Sequence, residues 1–191
     1  PGVQFALALD PSPWFAYRDA RGVSRYTKVE QILKDWAAAH PDTLTDDLSL
    51  IPTSGASTTH MTTTSALSDA LIAYSPILRS IVPSLNTLSL ALDTVTEQTL
   101  QPGMKRVVLF VTSVPSQDAV LTLQNLTQRA VDQQVRVFVW IVDSQDSFDS
   151  TTANALKDLA TQTSGQYITF SGEEPLPGLE NYLAPLRHSY Q

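Results

Sequence analysis

Asp10 and Ser12 stand two residues apart, just past the apolar run Val3-Gln-Phe-Ala-Leu-Ala-Leu. An acid and a hydroxyl so close in one loop are placed for ligand work. Position carries the point more than residue type. Whatever lies beyond the carboxyl end of a buried parallel strand is pushed to where α/β sheets bind ligands. Each residue also has a plain reading. Asp10 can cap the backbone amides of its own loop, and Ser12, between Pro11 and Pro13, can serve as a rigid-turn residue. Trp14 and Phe15 either cover the sheet edge and pack under Tyr17 or present an aromatic anchor to a partner. Covering is the simpler account.

Signals for catalysis are poor. His40, His60 and His188 fall at a helix end, in a Thr-rich segment and near the carboxyl terminus. None has the spacing of a metal pair, and each reads as a surface or capping residue. No Gly-x-Ser-x-Gly elbow, dinucleotide fingerprint or phosphate-loop lysine follows a strand. Asp143, Asp146 and Asp149 suggest either an acidic cation site or a helix start that favours acids.

The elements that must position Asp10 and Ser12 follow from periodicity. Val3–Leu9, Lys105–Thr112 and Val135–Val142 read as buried strands, dominated by apolar residues in the pattern of strands covered on both faces. Asp47–Thr53 reads as a shorter strand with Pro52 at its end. The Ser/Thr-rich stretch 54–65 predicts an edge strand near Thr58–Thr63, and Tyr167–Phe170 predicts a last strand. Val29, Ile32, Leu33, Trp36 and Ala37 predict a helix over Thr27–His40. Ser65 is the expected cap of a helix carrying Leu67, Ala70, Leu71 and Tyr74. A helix over Thr87–Gln98 carries Leu88, Leu92 and Val95. Ser116 or Asp118 should cap a helix with Val120, Leu123, Leu126, Ala130 and Val131 inward. A helix from Thr151 should end at Gly165 in a left-handed turn. A final helix carries Leu179, Tyr182, Leu183 and Leu186, bent near Pro185. Strands alternating with helices imply a parallel sheet wrapped on both sides.

Composition narrows the function classes. The 191 residues suit one domain, read as a piece excised from a longer protein because it opens at Pro1 without an initiator Met. The formal net charge is −7, and the cluster Arg18, Arg21, Arg25 and Lys28 is interrupted by Asp19 and Glu30. That cluster reads as a solvated loop and helix start, so nucleic acid is not expected as a partner. With no cysteine, disulfides and thiolate metal sites are excluded. No run approaches the ~18 apolar residues of a membrane span, so direct membrane insertion is not expected. Low charge, abundant Ser and Thr and the lack of cysteine are compatible with a bacterial exported protein, extracellular or in the cell envelope, an expectation carried mostly by analogy of fold, with the cytoplasm as the alternative.

In this order the elements resemble a von Willebrand factor A domain. The resemblance rests on a first strand ending Asp10-x-Ser12, on Val-Leu-Phe-Val-Thr112-Ser113, and on Leu156-Lys-Asp-Leu-Ala160-Thr-Gln-Thr-Ser-Gly165-Gln-Tyr-Ile before a last helix. It implies a Rossmann-like three-layer sandwich: a mostly parallel central sheet, one antiparallel edge strand, and helices on both faces. In that family a divalent cation sits on Asp-x-Ser-x-Ser, a Thr on a middle loop and an Asp after the fourth strand. Asp10 and Ser12 match the first two positions, Trp14 stands at the third, and Ser113 replaces the last Asp. Aligning Ala91-Leu92 puts Asn86 at the Thr position, and a one-residue slip puts Thr87 there.

One carboxylate is thin support for a hard cation, and the Trp14 indole N–H offers no lone pair. Binding of Mg²⁺ or a similar ion through Asp10, Ser12 and Thr87 is therefore expected to be weak or vestigial, with no cofactor required. The implied function is a non-catalytic, protein-binding adhesion-type module. Its ligand residues would be Asp10, Ser12, Trp14, Asn86, Thr87 and Ser113. A small-molecule or nucleotide-binding enzyme of flavodoxin-like build, or a purely structural envelope domain, are the alternatives.

Overall fold

The computed structural model describes residues 2–39 and 45–187. Six strands form one sheet: β1 (Val3–Asp10), β2 (Asp47–Pro52), β3 (Thr58–Met61), β4 (Lys105–Thr112), β5 (Val135–Val142) and β6 (Tyr167–Phe170). Their spatial order is β3-β2-β1-β4-β5-β6. All neighbours are parallel except β3, which runs antiparallel to β2 at the edge. The sheet is the expected Rossmann-like one, with the edge strand where the Thr-rich stretch put it.

Three helices cover each face. α1 (Arg25–Ala39), α2 (Thr64–Ala73) and α6 (Glu180–Leu183) pack on one side, where Phe5, Leu7, Leu9, Leu109 and Trp140 point. α3 (Asn86–Thr96), α4 (Val120–Asp132) and α5 (Thr151–Gln162) pack on the other, against Ala6, Ala8, Val108 and Phe110. Small side chains at Ala6 and Ala8 let α3 lie close to β1, with Leu88, Ala91, Leu92 and Val95 buried at helical spacing. That close crossing brings the loop before α3 over the carboxyl end of β1.

Local details depart from expectation where the capping group is a near neighbour. Thr63, not Ser65, caps α2, its hydroxyl accepting from Ala66 N. α4 begins after a 3-10 turn at Gln117–Ala119 and has no side-chain cap, so neither Ser116 nor Asp118 fills that role. Val131 is exposed rather than inward. After α5 the left-handed residue is Ser164, with φ 65°. Gly165 answers a different need, because a Cβ there would lie 1.9 Å from the Val137 carbonyl oxygen. Past Leu183 the last helix tightens into a 3-10 turn at Ala184–Leu186, around Pro185. It is held by Tyr182, which stacks on Phe138 at 4.2 Å and accepts the Trp140 indole N–H at 3.2 Å. His40 and His188 lie outside the described residues.

Candidate functional site at the carboxyl edge

The chain leaves β1 towards β2 on one side and later returns to β4 on the other, so the topological switch falls between β1 and β4. Asp10 and Thr112 are register partners at that point. The Thr112 hydroxyl donates to Asp10 Oδ2 at 2.7 Å. From the β2 side Thr53 donates to Oδ1 at 3.1 Å, and the Ser84 backbone N–H, ahead of α3, reaches both oxygens at 3.3 and 3.2 Å. Three strand and loop segments thus meet on the Asp10 carboxylate, and every donor is neutral. Burial pushes the Asp10 carboxyl from 3.8 up to about 6, opposed by the bonds from Thr112, Ser84 and Thr53.

Ser12 and Ser113 form a second string beside it. Ser113 Oγ donates to the Val142 carbonyl at 2.7 Å. A hydroxyl has one proton, so Ser12 is the donor in the 2.5 Å Ser12–Ser113 bond. Ser12 Oγ in turn accepts from Trp14 N at 3.2 Å. The string therefore has a direction, from the first loop through β4 to the end of β5. Asp10, Ser12 and Ser113 are all 0% exposed.

The other expected site residues sit differently. Asn86 opens α3 on the surface, its N–H held by Ser84 Oγ at 3.1 Å. Thr87 is buried, and its hydroxyl lacks a hydrogen-bond partner. Trp14 is 37% exposed and stacks on the more open Tyr17, ring centroids 5.4 Å apart. Phe15, beside it, is buried against Tyr26. Of the two aromatics, then, Phe15 covers the edge and Trp14 faces out. The Arg25 guanidinium lies 5.1 Å from the Tyr17 ring centroid and donates to the Trp14 and Ser171 carbonyls at 3.1 and 2.8 Å.

Sequence reading missed Thr53, Ser84 and Thr112, whose roles depend on register and on how α3 crosses β1. The signal available was a hydroxyl residue closing each neighbouring strand. Asp143 is buried at the end of β5 and spends its oxygens on backbone, accepting Val114 N at 2.9 Å and Ser144 N at 2.7 Å. Asp146 and Asp149 are exposed beyond it. Among the described residues no three His, Cys, Asp or Glu side chains gather as a metal cluster.

The donor set does not fit a divalent cation. Its one carboxylate already accepts from three partners, and Ser12 and Ser113 are committed to one another, to Trp14 N and to a carbonyl. Only the Thr87 hydroxyl is unspent.

No protein-family model matches the chain, and no curated protein matches it. Among solved structures it is similar to the conserved hypothetical protein BatB from Bacteroides thetaiotaomicron. The TM-score is 0.60 at 17% identity, covering 88% of this chain and 90% of that one. What the two share is the fold. It is a mostly parallel sheet layered between helices. An uncharacterized membrane spanning protein from Vibrio fischeri also matches, at 17% identity and a TM-score of 0.39, too low to carry an argument.

Proposed function

We propose that this domain is a non-catalytic protein-binding module of the von Willebrand factor A type whose metal site has become an internal polar cluster. The loops Asp10–Tyr17, Ser84–Thr87 and Ser113–Gln117 hold the partner. One observation carries the reading: at the switch point the polar side chains are buried and bonded to each other, while Trp14 and Tyr17 beside them face solvent. Paired aromatics with few rotatable bonds are suited to anchoring a protein partner. The same reading places the domain in the cell envelope, on its low charge and Ser/Thr-rich composition. No described helix is long and apolar enough to cross a membrane.

The test is photo-crosslinking from position 17 in the chain's native host, with and without chelator, against a control at position 105 on the opposite sheet end. A partner trapped only from position 17, unaffected by chelator and lost in Trp14→Ala, supports the reading. Trapping abolished by chelator, with calorimetric Mg²⁺ or Mn²⁺ binding lost in Asp10→Ala, restores a working metal site instead. Equal trapping from both positions removes the edge as the interface.

A further inference from the structure

The aromatic corner also carries an uneven charge. Of the chain's eight arginines, four lie here: Arg18, Arg21 and Arg25 follow the first loop, and Arg79 sits on the 3-10 turn Leu78–Ser80 packed beside Pro13–Ala16. Among the described residues none of the four forms an ion pair. Arg18 donates to the Gly22 carbonyl at 2.6 Å, and Arg25 has two carbonyls and the Tyr17 ring. Elsewhere Arg129 pairs with Asp93, Arg187 with Asp46 and Glu180, and Lys34 with Glu30, while Arg106 and Arg136, towards the other end of the sheet, donate to neutral acceptors.

The acids nearby are already engaged. Asp19 pairs with Lys28 at 2.8 Å and accepts the Arg21 and Val23 amides, which with Lys28 holds its carboxyl down at about 2. Glu174 folds back onto Ser171 N and Oγ. Glu173 is exposed. Counting Asp19, Glu173 and Glu174 against the arginines and Lys28, the corner stays positive on a chain of net charge −7.

Resting on the protein-binding reading above, we propose that the partner segment held by this corner is acidic and carries an aromatic side chain. The ring packs against the stacked Trp14–Tyr17 pair, with exposed Ile77 and Val82 flanking the neighbouring turn. Carboxylates bridge the guanidiniums, which match them in planar, two-pronged geometry. Arg25 already lies over the Tyr17 ring, 5.1 Å from its centroid, so a carboxylate reaching it is positioned relative to the ring. A protein segment is favoured over a nucleic acid because the chain as a whole carries a net charge of −7, so a long phosphate backbone would meet net repulsion.

The probe is a short peptide of alternating Glu and Phe, titrated into the protein while its indole N–H signals are followed by NMR. Trp36 and Trp140 are buried, with their indole N–H groups bonded to Glu180 and Tyr182. They serve as internal references against exposed Trp14. The expected result is a shift of the Trp14 indole signal with steady references, weakening with salt. Affinity should fall about tenfold in Arg18→Gln/Arg21→Gln, whose exposed side chains leave the fold intact. Equal binding of the Gln-for-Glu peptide at Trp14 overturns the acidic assignment while leaving the protein-binding reading in place. A single-stranded oligonucleotide that binds where the peptide does not overturns it as well. So does the absence of any Trp14 response, after which crosslinking from position 17 still decides whether the edge binds protein.

Discussion

Two buried aspartates at opposite ends of the same sheet are treated in opposite ways. Asp10, at the carboxyl end of β1, is held by two hydroxyls and an amide, with no cation. Asp46, just ahead of β2 at the amino end, receives Arg187 in a two-pronged pair at 2.6 and 2.8 Å and also accepts Val3 N at 2.9 Å. Glu180 takes the third nitrogen of Arg187 at 2.7 Å. A second clamp stands at the same end, where His60 of β3 bridges Asp47 of β2 and Glu97 beyond α3. The amino end is stapled by full charges and the carboxyl end by neutral donors. In an interior, an ion that keeps its partner is tolerated, and one left with neutral donors shifts its proton affinity instead.

The largest break in that contrast comes from Arg187→Ala. It strands Asp46 as an unpaired buried charge and should cost about 3–5 kcal/mol in urea unfolding. A loss no larger than a surface pair gives would mean the amino end is not stapled by charge.

Asp10 sharpens the contrast through pH. Its carboxyl binds a proton more tightly folded than unfolded, 3.8 rising to about 6. Stability should therefore fall as pH rises through that window, by roughly 3 kcal/mol for a shift of this size. In Asp10→Asn that slope should vanish, although the variant itself faces donors its amide nitrogen cannot accept.

Thr87→Val should stabilise by about 1 kcal/mol, since it replaces an unpartnered buried hydroxyl with a methyl of the same shape. Loss of stability in the thermal melt would mean the hydroxyl has a use.

The smallest effect is at His60. Burial alone would lower its pKa, but the bonds and charges of Glu97 and Asp47 outweigh that and hold the imidazole above 6.5. Its contribution is full below 6.5 and is lost as pH climbs through the raised value. His60→Gln should remove that loss, about 0.5–1 kcal/mol, from the alkaline side of the stability profile.

These partners show what a sequence can and cannot disclose. The strands Lys105–Thr112 and Val135–Val142 were legible because a strand covered on both faces reads as an apolar run, here Val107–Val111 and Val137–Val142, with charge confined to the amino ends at Lys105, Arg106 and Arg136. Asp10 and Ser12 were legible as strand-end residues by the same reasoning. That Thr112 faces Asp10 depends on register, which no local pattern states. His60, read as an ordinary surface or capping residue, joins three elements distant in sequence, and nothing in its Thr-rich neighbourhood signals this. Gly165 was marked as special, but for a turn rather than for the carbonyl pressed against it.

The one-way string from Trp14 N through Ser12 and Ser113 to Val142 gives the carboxyl edge a clock. Hydroxyl protons in contact with water trade places too fast to be seen, but these two are sealed inside and committed to fixed acceptors. They should give discrete resonances that survive transfer into deuterium oxide for as long as the first loop stays shut. Their decay would then time each opening of the loop that carries Trp14.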